Sequence, residues 1–169
     1  RVVGYLPNIP EAIVALLAVL HAAPFFVAFV EGDFARDLYA ALRIAQGRDW
    51  PLAGPVISWT VHLGPVWYYA LAIPMKLGGS LTAVVAAIAV ASALQFPLAY
   101  RLGSEAFDRR TGLAWAILLA TPGVGSLASL WIAHPSVTAT LVLGVLYALR
   151  RAHAASSPAW LAAAGAAFG

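Results

Sequence analysis

Two carboxylates, Glu31 and Asp33, stand one residue apart directly after a long apolar run. A carboxylate at such an edge has two chemical uses. It can accept a proton from an incoming hydroxyl or amine. It can also help to hold a divalent cation against a lipid phosphate. An amphipathic stretch follows Asp33, and the aromatic run Trp67-Tyr68-Tyr69 comes later. These would wall a site open to both lipid and water. A solvated helix flank carries the same residue types, so the acidic pair alone names no reaction. The chain has no cysteine. Disulfides, thiolate nucleophiles and cysteine-based zinc sites are therefore excluded.

The elements that must position these groups are read from hydrophobicity. Of the 169 residues, 62% are hydrophobic and 10% charged. A soluble domain is nearer half apolar and a quarter charged, so a bilayer must cover the excess. A hydrocarbon core about 30 Å thick needs roughly 20 apolar residues, and its backbone polar groups must be paired internally. The expected fold is all-α, a polytopic transmembrane helical bundle with juxtamembrane amphipathic helices in the first outer loop. Spans are expected at about 11–30, 80–100, 112–133 and 137–151, with a partial one at 158–169. The outer loop covers 31–79. Pro24 should kink the first span, and His21 is read there as a packed or interfacial imidazole. Phe34, Leu38, Leu42 and Ala45 recur at helical spacing, while Arg36, Asp37 and Arg43 fall elsewhere, as in a short amphipathic helix lying in the interface. Arg101 to Thr111 reads as a loop. The last run is about a dozen residues, too short to cross, so the natural chain is expected to continue past residue 169.

Orientation follows from charge. If 62–79 does not span, the Arg-bearing loops at 101–111 and 150–157 share a side with Arg1. That side then holds six of the ten Lys and Arg residues. Short cytoplasmic loops collect such residues. The N-terminus is thus expected inside, with 31–79 and the His134-Pro135 turn outside. The same logic assigns the basic balance, net +3, to membrane topology. Nucleic acid is not an expected partner.

The order of these motifs resembles the N-terminal part of the GT-C glycosyltransferases that use polyprenyl-phosphate sugars. Protein O-mannosyltransferases, lipid A aminoarabinose transferases and related bacterial lipopolysaccharide-sugar transferases belong to this group. The shared features are a first span, an acidic segment (Glu31-Gly32-Asp33) and an amphipathic helix ending in Gly47-Arg48-Asp49-Trp50-Pro51. The Pro-aromatic segment Gly64-Pro65-Val66-Trp67-Tyr68-Tyr69 comes next. A span, an Arg-bearing loop (Tyr100-Arg101-Leu102-Gly103, then Phe107-Asp108-Arg109-Arg110), another span and a short outer turn complete the order.

The resemblance implies an integral membrane enzyme of the bacterial inner membrane, with its active site facing outside. It would move a sugar from a polyprenyl-phosphate donor to a protein, lipid or glycan acceptor. Membrane lipid and donor are the implied partners. No cofactor is required beyond a possible divalent cation, for which Asp33 and His134 are the candidate ligands. The essential acid falls on Asp33, with Glu31 beside it. Arg36 and Arg43 are near enough to meet a phosphate, and His62, Trp67, Tyr68, Tyr69 and His134 to meet sugar, phosphate or lipid. Two departures stand out. Many relatives have adjacent Asp-Glu where Gly32 here separates the acids. Many also carry Asp where this chain has His134. A transporter or channel segment, or a non-catalytic membrane subunit, is the competing reading.

Overall fold

The computed structural model describes residues 9–27, 32–57, 61–121, 134–155 and 157–168. Helix α1 (Ile9–Ala22) tightens into a 3-10 turn at Ala23–Val27, where Pro24 lacks the N–H that an α-helix would use. Then follow α2 (Gly32–Ala45), a two-stranded antiparallel ladder of β1 (Val56–Ile57) and β2 (Val61–His62), and α3 (Val66–Gly78). The bundle continues with α4 (Leu81–Ala93), α5 (Gln95–Ala106) and α6 (Arg109–Ala120). After a 3-10 turn at His134–Val137 come α7 (Thr138–Ala155) and α8 (Pro158–Phe168). The fold is helical, as expected, with the small ladder added between α2 and α3.

Among the described residues, two helical stretches are long and apolar enough to cross a bilayer, Ile9–Val27 and Leu81–Ala106. The second joins α4 and α5 and stays helical through Arg101, Ser104 and Glu105, where the sequence suggested a loop. The reason is tertiary. Tyr100, Leu102 and Gly103 are buried, and α6 packs back along them, so helix is kept beyond the apolar run. Only Phe107 and Asp108 form the connection. The Asp108 side chain accepts the Thr111 backbone N–H at 2.7 Å and caps α6. Helix α3, by contrast, has 13 residues. It rises about 20 Å, short of the roughly 30 Å hydrocarbon core. It ends at Gly79, whose φ of 61° suits glycine, and Ser80 caps α4 through the Ala83 N–H at 3.2 Å.

Two apolar clusters hold the bundle. One joins Phe25, Phe34, Ala41 and Ile44 to Tyr68, Leu71, Val84 and Ile88, so that the turn after α1, then α2, α3 and α4 share a core. The other joins Val14, Phe96, Tyr100 and Ala116. Leu16, Val19, Leu20, Val90, Leu118 and Val142 lie exposed, as side chains facing lipid or further protein do. Polar groups inside the bundle find partners there. His21 Nε2 lies 2.9 Å from Ser92 Oγ and 3.0 Å from Gln95 Nε2, and Thr140 Oγ1 donates to the Ser92 carbonyl at 3.1 Å. His21 is thus a half-buried, packed imidazole, one of the two roles expected of it. At the end of the bundle where α1 begins, Glu11 accepts from Tyr100 Oη at 2.8 Å and from Arg109 Nη2 at 2.9 Å. Arg150 there reaches both the side chain and the carbonyl of Glu105.

The α5–α6 hairpin depends on two glycines. A Cβ on Gly103 would stand 2.7 Å from Gly112 Cα, and one on Gly112 would meet the Tyr100 carbonyl and sit 2.8 Å from the Ser104 nitrogen. Backbone cannot yield as a flexible side chain does. Gly112→Ala should therefore cost about 1–3 kcal/mol, measured as a fall in the melting temperature of the purified protein. Gly144→Ala is the control. Its Cβ would meet nothing within 4 Å, and it should be neutral or stabilising by up to about 1 kcal/mol.

Candidate active site

Helix α2 positions the acid. Its buried stripe is Phe34, Asp37, Ala41 and Ile44, rather than the 34, 38, 42 and 45 set taken from hydrophobicity. Leu42 is 39% exposed. The helix is rotated by about one residue because Asp37, expected off the apolar stripe, sits inside at 1% exposure. A buried carboxylate is tolerated only when its oxygens are fully engaged. Here Oδ1 accepts from Arg36 Nε at 3.0 Å and Nη2 at 2.9 Å, while Oδ2 accepts from the Trp67 indole N–H at 2.8 Å. Hydrophobic periodicity counts every Asp as an outward residue, so it missed this one. The signal was present in the equally helical 34, 37, 41, 44 spacing.

The remaining edge of Arg36 serves Asp33. Arg36 Nη1 donates to Asp33 Oδ1 at 3.0 Å, one helical turn away. Asp33 lies in the first turn of α2, where the helix dipole favours a carboxylate. Its side chain is 82% exposed, open to an approaching acceptor. Burial works against the Arg36 charge, but Asp37, with Tyr68 and Asp33, outweighs it and holds the guanidinium above its ordinary value. Burial, and then the field of Asp37, push the Tyr68 phenol up. The arrangement is a solvent-facing carboxylate beside a clamped guanidinium, which suits proton acceptance next to a departing anion.

The other expected site residues are drawn elsewhere. Trp67 and Tyr68, anticipated against sugar or lipid, are turned to protein. The indole binds Asp37, and Tyr68 is 7% exposed in the α2–α3–α4 core. Arg43 pairs with Asp49 at 3.2 Å and lies 5.9 Å over the Tyr39 ring. His62 on β2 approaches the Gly54 carbonyl at 3.2 Å through Nδ1. A carbonyl only accepts, so Nδ1 is the donor in this contact. Glu31 and the His134 side chain lie outside the described residues. Among the described residues, no three His, Cys, Asp or Glu stand together as metal ligands.

The segment between α2 and α3 forms a cap beside this helix pair. Gly47 closes α2 with φ of 68°. Trp50 stacks on Tyr69 with centroids 6.3 Å apart, and Tyr69 Oη donates to the Pro51 carbonyl at 3.1 Å. Gly54 N–H donates to Leu63 O at 2.8 Å, and Leu63 N–H to Pro55 O at 2.9 Å. A Cβ on Gly54 would stand 2.8 Å from the Gly64 carbonyl carbon. Gly54→Ala should open the cap at a cost of about 1–3 kcal/mol, seen as faster protease cleavage within 50–64 at unchanged helix content.

A family model described as dolichyl-phosphate-mannose-protein mannosyltransferase matches residues 62–169, more than half of the chain. Neither a curated protein nor a solved structure matches. The matched stretch begins at His62, on the far side of the cap from α2, so the case for Asp33 rests on geometry. The chain belongs to the dolichyl-phosphate-mannose-protein mannosyltransferase family, and is thus a polytopic integral membrane glycosyltransferase that uses a polyprenyl-phosphate sugar donor.

Proposed function

We propose that the chain transfers the sugar to a protein, lipid or glycan acceptor on the outer face of a bacterial inner membrane, with Asp33 as general base and Arg36 as partner of the leaving phosphate. The observation that carries this reading is the 3.0 Å contact between an exposed carboxylate and a guanidinium already held by a buried carboxylate. Asp33 takes the proton of the acceptor hydroxyl or amine. The freed electron pair forms the bond to the anomeric carbon from one side. The bond to the phosphate oxygen breaks on the other, and its electron pair leaves with the phosphate. The anomeric centre is inverted. An Arg N–H aimed at that oxygen stabilises the charge as it develops.

Orientation is supported by where the arginines gather. Arg109 touches Glu11 at the start of α1, and Arg150 touches Glu105 at the end of α5. Arg101, Arg110 and Arg151 belong to the same helix ends. Helix α2 follows the opposite end of α1. On the positive-inside rule the arginine end is cytoplasmic and Asp33 faces out.

The test is transfer from a polyprenyl-phosphate sugar by the intact protein in membranes. Asp33→Asn should lower kcat by about 10²-fold or more, in line with loss of a general base, at normal membrane levels. Retention of wild-type transfer by this variant would remove Asp33 from the role. Arg36→Ala should lower kcat by about 10²–10³-fold, and Arg36→Lys should recover only part, because a point charge cannot hold both carboxylates.

A further inference from the structure

Asp37 occupies a core position that an apolar residue would fill at no electrostatic cost. Removing an ionised carboxylate from water costs several kcal/mol even after relaxation, so its presence calls for a physical account. Three features converge. First, Arg36 and Asp37 are neighbours on a helix, and neighbouring side chains leave the axis about 100° apart. For Arg36 to reach Asp37 its guanidinium must fold back over α2, and it does so with the Nε and Nη2 edge, both on Oδ1. Second, the carboxylate cannot turn with it, because Oδ2 is held from α3 by the Trp67 indole at 2.8 Å. Third, with one edge of the fork fixed, Nη1 is the edge that meets Asp33. The chain of contacts thus runs from α3, through Asp37 and Arg36, to the exposed acid.

We propose that Asp37 is a positioning residue that fixes one edge of Arg36, so that Nη1 can pass from Asp33 to the leaving phosphate as Asp33 takes up the acceptor proton. This rests on the assignment of Asp33 and Arg36 above. Before reaction the guanidinium sits between two carboxylates. As the acceptor O–H or N–H bond breaks, its proton goes to Asp33, which becomes neutral and releases its hold on Nη1. In the same step the C–O bond to phosphate breaks and the phosphate oxygen gains the electron pair. Negative charge thereby moves from Asp33 to the phosphate, and Nη1 follows it without Arg36 losing its seat. An interaction that grows only as the phosphate leaves acts on kcat more than on donor binding.

The experiment is a double-mutant cycle on the intact protein in membranes, assayed with a polyprenyl-phosphate sugar. Asp37→Asn alone should lower kcat about tenfold or more, as misplacement of a catalytic group does, with donor KM within about twofold. In an Arg36→Ala background the same change should cost less than about twofold, since residues acting through one another are not additive. Trp67→Phe removes the indole N–H and keeps an aromatic, though smaller, ring. It should lower kcat less than Asp37→Asn does, and only when Arg36 is present. It provides the same cycle if Asp37→Asn does not accumulate. Equal losses with and without Arg36 would mean that Asp37 merely ties α2 to α3 and would overturn the proposal, as would full activity of Asp37→Asn. Asp33→Asn, assayed alongside, separates this outcome from a failed base assignment. If it retains transfer, the base reading falls whatever the cycle shows.

Discussion

The buried carboxylate of Asp37 sets the α2–α3 part of this molecule. Its two oxygens are satisfied from two helices, by Arg36 on α2 and by Trp67 on α3. A half-satisfied carboxylate in that position would cost more than the apolar packing around it returns. The rotation of α2 is therefore the one that brings Asp37 to Trp67, and this rotation buries Phe34, Ala41 and Ile44. It also leaves Asp33 exposed, with the free edge of Arg36 beside it. The presentation of the acid to solvent and the packing of α2 on α3 and α4 are consequences of one hydrogen-bonded group.

The rest of the bundle obeys the same rule in a drier setting. Water is absent from a hydrocarbon core, so polar side chains there must meet one another. His21, Ser92 and Gln95 do so between α1 and the α4–α5 junction, and Thr140 of α7 meets the Ser92 carbonyl. Where the helices end, charged side chains take over, with Glu11 meeting Arg109 and Glu105 meeting Arg150. Between these layers, α5 and α6 approach at Gly103 and Gly112, where no Cβ keeps the backbones apart. Each layer uses the interaction suited to its local dielectric. The family assignment and the geometry divide the functional case between them. The match runs from His62 through α8 and carries the donor chemistry, while the contacts on α2 carry the candidate acid.

The sequence was legible wherever one strong signal dominated. Long uncharged runs marked α1 and the start of α4, because in lipid a continuous apolar run pairs its backbone as helix, whereas a barrel strand would alternate. Pro24, Gly47 and Gly79 marked breaks, since proline lacks a donor and glycine tolerates positive φ. The glycosyltransferase reading came from the order of motifs, and it agrees with the family match. Legibility failed where two signals competed. Ser104 and Glu105 looked like loop, but packing against α6 kept them helical. Trp67 and Tyr68 looked like an interfacial aromatic belt, but one binds a buried acid and the other fills a core.

By itself, the sequence determined that the chain is helical and belongs in a bilayer, and that an acid follows its first apolar helix. These properties depend on composition and on neighbours along the chain. Tertiary structure alone decided which face of α2 is buried, that Asp37 lies deeper than Leu38, and that Arg36 faces Asp33 with a single edge. The physical reason is that a carboxylate is polar in every sequence scale. It becomes a core residue only when donors from another segment, here the Trp67 indole thirty positions away, arrive to satisfy it.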